Sequence, residues 1–163
     1  MKLRTEAYFR QVAEDALALA GVTEPPVPID DIAATLCIPL RTVNLPPFFT
    51  AATVYEDGLP IMVLNSARPD LERKHAVAHM LGHVLLVLAD ESEGFARASM
   101  DHGDAEAVAR ELMMPSSFVT ELAGTWFNDY RYLSRLFAVS ESTMLERMQE
   151  LGLIRSRGIR WEY

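Results

Sequence analysis

The sequence predicts an α+β fold in which a small, mostly antiparallel sheet lies beside helices, followed by a helical C-terminal part. Three observations predict it. Residues 38–65 are rich in Val, Ile, Thr and Tyr, the composition of strands. The stretches on either side instead repeat their apolar residues every three or four positions, as amphipathic helices do. The third is a long apolar run, residues 76–89, that holds His79-Met80-Leu81-Gly82-His83. The chain has 163 residues, of which 50% are apolar and 23% charged, which suits one globular unit with an ordinary core. We expect residues 1–125 to form the core that carries the histidines and residues 126–163 to pack on it as a helical subdomain.

Taken in order, residues 4–20 read as an amphipathic helix through Tyr8, Phe9, Val12, Ala13, Ala16, Leu17 and Ala20, stopped by Gly21. Glu24-Pro25-Pro26-Val27-Pro28 is an extended connector. Asp30 is placed to cap a short helix through Leu36. Strands are expected at Ile38–Leu45, Thr50–Glu56 and Leu59–Asn65, with Asp57-Gly58 as a tight hairpin turn. A strand at the sheet edge is suited to pair with an extended peptide, or simply to cover the helices. Pro69 opens a helix that runs to about Ala89, and residues 90–103 form a polar loop with Glu91, Glu93, Asp101 and His102. Helices follow from Asp104 to Pro115, from Asp129 to Phe137, and from Ser140 as N-cap to Gly152.

Composition restricts the function classes. A net charge of −8 argues against a general nucleic-acid binder. The acidity is uneven: residues 1–130 carry 9 Lys+Arg against 19 Asp+Glu, and residues 131–163 carry 6 against 4. The longest uncharged run, His75–Ala89, has 15 residues and three histidines, too short and polar to span a bilayer. The first residues, Met1-Lys2-Leu3-Arg4, contain no apolar segment of a signal peptide. The single cysteine, Cys37, between Leu36 and Ile38, is expected to be a buried thiol in a reducing cytoplasm.

The histidine pair carries the chemistry. His79 and His83 are four residues apart, so on a helix both imidazoles lie on one face within reach of one ion. A structural role is the competing reading, but burying two imidazoles in so apolar a helix requires partners, and a metal supplies one to both. The frame is that of the H-E-x-x-H zinc motif with Met80 in the position of the general-base glutamate. His75, one turn earlier, is expected in a supporting role and not as a ligand, and His102 is placed in the same class. Asp104 borders the apolar stripe Ala105, Val108, Ala109 and Leu112. Alone it reads as a helix cap; beside two histidines it completes a set of two imidazoles and a carboxylate with one position open.

Several segments together resemble the ImmA/IrrE family of zinc metallopeptidases. They are the strand Leu59 to Asn65, Lys74 to His83 with its H-x-L-G-H ending, Leu112-Met113-Met114-Pro115, and the tail from Phe137 to Thr143 with Arg147 and Leu151-Gly152. The resemblance covers about residues 5–155 and implies a zincin-like core, zinc as cofactor, and His79 and His83 as its ligands. It places Asp104 where the family usually has a glutamate ligand, Lys74 where arginine is usual and His75 where an aromatic residue is usual. It also implies a cytoplasmic regulator whose partner is a helix-turn-helix repressor or antitoxin-like protein, often of a phage, mobile element or stress regulon.

Met80 divides the mechanistic expectations, because a thioether cannot accept a proton from water. General-base catalysis is typically worth about 100- to 10,000-fold. A pseudopeptidase that binds its partner without cleaving it is the favoured reading. An active endopeptidase with a substitute base (Glu56, Glu91, Glu93 or His75) and a sequence variant of an active enzyme are the alternatives. The basic tail offers Arg147, Arg155, Arg157 and Arg160 for DNA contact through helix-turn-helix-like helices, but a solvated face is favoured over it. Trp126, Phe127 and Tyr130 are either anchors for a protein partner or core.

Overall fold

The computed structural model describes residues 4–89 and 101–155. Among them are α1 (Glu6–Leu19), α2 (Ile29–Thr35), β1 (Leu40–Val43), β2 (Ala51–Glu56) and β3 (Leu59–Asn65). The chain continues with α3 (Asp70–Ala89), α4 (His102–Met113), α5 (Ser116–Thr125), α6 (Tyr130–Leu136) and α7 (Glu141–Glu150). The α+β reading holds. Glu91, Glu93, Arg157 and Arg160 lie outside the described residues.

The helices form where the apolar period requires. Phe9, Val12, Ala13, Ala16 and Leu17 make the buried face of α1. Thr5 caps its N-terminus, and Gly21 turns the chain away at φ +70°. Ala105, Val108, Ala109 and Leu112 of α4 are fully buried against α3 and α1. Helix α2 begins at Ile29 after Pro28, so Asp30 sits in its first turn and is not its cap. Cys37 is exposed, contrary to expectation. It occupies the left-handed position after α2 at φ 57°, where its N–H bonds to Ala34 while the Ile38 N–H reaches back to Ala33. That C-terminal motif turns Cys37 outward and leaves Ile38 to enter the core.

The three strands are ordered β1-β3-β2. β2 and β3 form the expected antiparallel hairpin, with Ala51 opposite Leu64 and Glu56 opposite Leu59. Asp57 and Gly58 both have positive φ, 52° and 79°, as the tight turn requires. β1 instead runs parallel to β3, Leu40 beside Met62. This leaves β2 at an edge, next to α3.

The C-terminal helices are fastened by polar groups. Lys74 of α3 donates from Nζ to the carbonyl of Phe137 at 2.9 Å, satisfying the end of α6. Burial holds this ammonium below its ordinary pKa, opposed by nearby Asp30. Arg147, offered by the sequence for DNA contact, is turned inward and buried against Glu111 and Ser116. Trp126 and Phe127 are not core: they are 42% and 94% exposed.

Candidate metal centre

The centre is assembled from two helices that touch closely. In α3 the apolar residues Val77, Ala78, Leu81 and Leu85 face the core, which turns His79 and His83 to the half-buried flank. Helix α4 crosses beside them. The approach depends on Gly82: a Cβ there would lie 2.2 Å from the carbonyl oxygen of Ala105. Only glycine admits α4 at this distance, and the close crossing delivers His102, the first residue of α4, to the histidine pair.

Three ring nitrogens converge. His79 Nε2 lies 3.2 Å from His83 Nε2 and 3.2 Å from His102 Nδ1, and His83 Nε2 lies 3.1 Å from His102 Nδ1. Three lone pairs brought so close repel unless a proton or a cation lies between them. Tetrahedral zinc, with bonds of about 2.0–2.1 Å, sets its ligand nitrogens about 3.3 Å apart, so the triangle fits the ion nearly without adjustment. Among the described residues these three side chains are the group able to hold a metal.

Asp104, expected as third ligand, points elsewhere. Its Oδ2 receives Arg4 Nη1 at 2.7 Å in a partly buried ion pair. The cap of α4 is Asp101, whose Oδ1 accepts from the Asp104 N–H at 3.1 Å. His102, expected in a supporting role, takes the position beside the pair instead. The sequence reading missed Glu106 altogether. One turn along α4 from His102, its Oε2 accepts from His79 Nδ1 at 2.8 Å and its Oε1 from His75 Nε2 at 2.7 Å. Glu106 is held down at about 2, chiefly by the bond from His75, against the opposing effect of burial and with further help from His79. The same bond raises the His75 pKa. Three groups separated by one turn on α3 (His75, His79, His83) thus face two separated by one turn on α4, a spacing that is present in the sequence.

Met80 lies on the same flank. Thr53 of β2 donates to its Sδ at 3.2 Å, so the thioether reaches from α3 to the sheet edge. The histidines, Met80 and Thr50–Thr53 line a cleft of about 610 Å³, with Phe48 and Phe49 at its rim. Asn65, fully buried, fixes that rim by donating to the carbonyls of Leu45, Pro46 and Phe49 and accepting from the N–H of Leu45 and Ala67. A carboxylate in place of Met80 would face this cleft; the thioether offers it no base.

The model of the IrrE N-terminal-like peptidase domain matches residues 33–149, well over half of the chain. The chain belongs to that family. A solved structure of a Mycobacterium tuberculosis transcriptional regulator is similar in fold, with a TM-score of 0.66 and 20% identity. The similarity spans 93% of this chain and 49% of that one, so the chain covers about half the length of that protein. Comparison with curated protein sequences gives no match. The IrrE-like match runs from within α2 to the last turn of α7 and includes every residue of the three-histidine group. No helix among the described residues is long and apolar enough to cross a membrane.

Proposed function

We propose that this IrrE-like chain is a zinc-binding, peptidase-fold regulator that captures a helix-turn-helix repressor or antitoxin-like protein and cleaves it poorly or not at all. The observation that carries the reading is the triangle of His79, His83 and His102 nitrogens in a cleft where Met80 replaces a carboxylate. His79, His83 and His102 would hold the metal and leave one position toward the cleft. Zinc in such a site polarises a carbonyl and acidifies bound water. The chain's own residues bind and orient: the edge strand β2 and the Phe48-Phe49 rim flank the cleft, and Glu106 holds His79 in place. What the chain lacks is a proton acceptor at position 80, and that loss supports binding without turnover. The transcriptional regulator of similar fold is in keeping with a regulatory role.

Zinc per chain on the purified protein tests the centre. Near-stoichiometric zinc is expected in the parent and in Asp104→Ala. His102→Ala should weaken zinc by more than the roughly 100-fold that loss of a supporting hydrogen bond costs. Zinc lost from Asp104→Ala but kept by His102→Ala would reinstate the aspartate as ligand. The missing base is tested with a purified helix-turn-helix repressor as substrate. The parent should bind it intact, and Met80→Glu should produce discrete, chelator-sensitive fragments at least about 100-fold faster than the parent. Chelator-sensitive cleavage by the parent at the rate of Met80→Glu would instead favour a substitute base, for which His75 on the cleft wall is a candidate among the described residues.

A further inference from the structure

We propose that Glu106 is the positioning residue of the metal centre: through its bridge to His75 and His79 it sets which nitrogen of His79 faces the metal. The inference rests on the three-histidine reading above and goes beyond it, because Glu106 is not a ligand and belongs to none of the motifs in the sequence.

The geometry is specific. A carboxylate is an acceptor only, so a 2.8 Å contact between Glu106 Oε2 and His79 Nδ1 requires the proton to reside on Nδ1. In the neutral ring Nε2 then bears the lone pair, and Nε2 is the atom that faces His83 and His102. The second oxygen of Glu106 is itself fixed by His75 Nε2 at 2.7 Å, so the carboxylate cannot rotate away from His79. Charge-assisted bonds of this kind both orient a ligand ring and raise its basicity. His75 acts one step further out. It connects the cleft wall to the centre without touching the three converging nitrogens.

A bland alternative is that Glu106 merely fastens α4 to α3. The two roles separate experimentally. Glu106→Ala should weaken zinc by roughly ten- to hundredfold. Glu106→Gln should lie between it and the parent, because its amide oxygen can still accept from Nδ1 without the charge. Nitrogen-15 spectra of the metal-free proteins at about pH 8.5, above the ordinary imidazole range, give a readout that simple fastening would not move. His79 should be protonated on Nδ1 in the parent and in Glu106→Gln, and should shift toward Nε2 protonation in Glu106→Ala. If Glu106→Ala fails to fold, the Glu106→Gln affinity and the parent's tautomer still decide. Zinc affinity equal to the parent's in the folded variants, or Nε2 protonation of His79 in the metal-free parent, would overturn the proposal. Should the parent bind no zinc, the metal reading fails by itself, and the tautomer comparison still determines whether Glu106 orients His79.

Discussion

Replacing Arg147 with alanine is expected to destabilise the protein by about 3–5 kcal/mol, the usual cost of removing one partner from a buried ion pair. The Arg147 and Glu111 side chains are only 7% and 10% exposed, so solvent screens the pair little. Arg147 Nη2 lies 2.5 Å from Glu111 Oε1 and 2.8 Å from Ser116 Oγ, and its Nε donates to the Met114 carbonyl at 3.1 Å. Ser116 in turn donates to Glu111 from its hydroxyl and its backbone N–H. The network ties α7 to the junction of α4 and α5, and alanine would leave the buried Glu111 carboxylate with only the Ser116 bonds and the more distant Arg10, whose Nε lies 3.9 Å away. Against a total stability of about 5–15 kcal/mol, the melting temperature should fall by about 10 °C.

The pH dependence gives the prediction a second axis. Burial alone would raise the Glu111 pKa; bonds from Ser116 and the charge and bonds of Arg147 outweigh it and leave the carboxyl below its ordinary 4.5. A depressed folded-state value means that this stabilisation is fully present above the unfolded pKa and is lost as pH falls through the folded one. Without Arg147 its lowering contributions are lost and the folded value rises above that of the parent, so the variant loses less stability than the parent on acidification. The gap between parent and variant should therefore narrow between pH 7 and about pH 4. Urea midpoints at both pH values check this; a gap under about 1 kcal/mol at pH 7 would show that Glu111 is not held by Arg147.

How far the structure could be read from the sequence depended on whether the cause was local. The stripes of α1 and α4 and the Asp57-Gly58 hairpin are set by residues within a few positions of one another, and they appear as the sequence predicts. Helix α5 was missed because Pro115, read as the end of α4, also serves as its entry. The parallel pairing of β1 with β3 reflects a chain return through β2, which no strand pattern records. At the metal centre His79 and His83 were legible because one helix turn defines them. The third member was not. Asp104 has the right chemistry and nearly the right place, but Arg4, 100 residues away in sequence, engages it. The Asp101 cap starts α4 at His102 and so aims the imidazole at the pair. Glu106 was legible only in retrospect, as the residue one turn from His102.

Gly82→Ala should have the other large effect, and on two observables at once. In an isolated helix the change would stabilise by about 1 kcal/mol, because alanine is the better helix former. Here the new methyl would meet the Ala105 carbonyl at 2.2 Å, and backbone on both sides cannot yield as a flexible side chain would. Overpacking of this kind costs typically 1–3 kcal/mol and occasionally more, so a net loss of up to about 2 kcal/mol is expected once the helical gain is subtracted. The strain can be relieved only by moving α4 away from α3. That movement separates His102 from His79 and His83, whose nitrogens now stand 3.1–3.2 Å apart. It also stretches the Glu106 bridge to His79. Zinc affinity should then fall more steeply than stability, by at least tenfold, since both a ligand and its orienting group are displaced. Calorimetric titration beside a melting curve checks both. A variant as stable as the parent would mean that the helices can separate without cost, and the crossing would no longer explain why glycine stands between Leu81 and His83. A variant that is destabilised yet binds zinc as tightly as the parent would mean that His102 follows α3 and not α4. That outcome would detach the metal centre from the helix crossing on which its geometry rests.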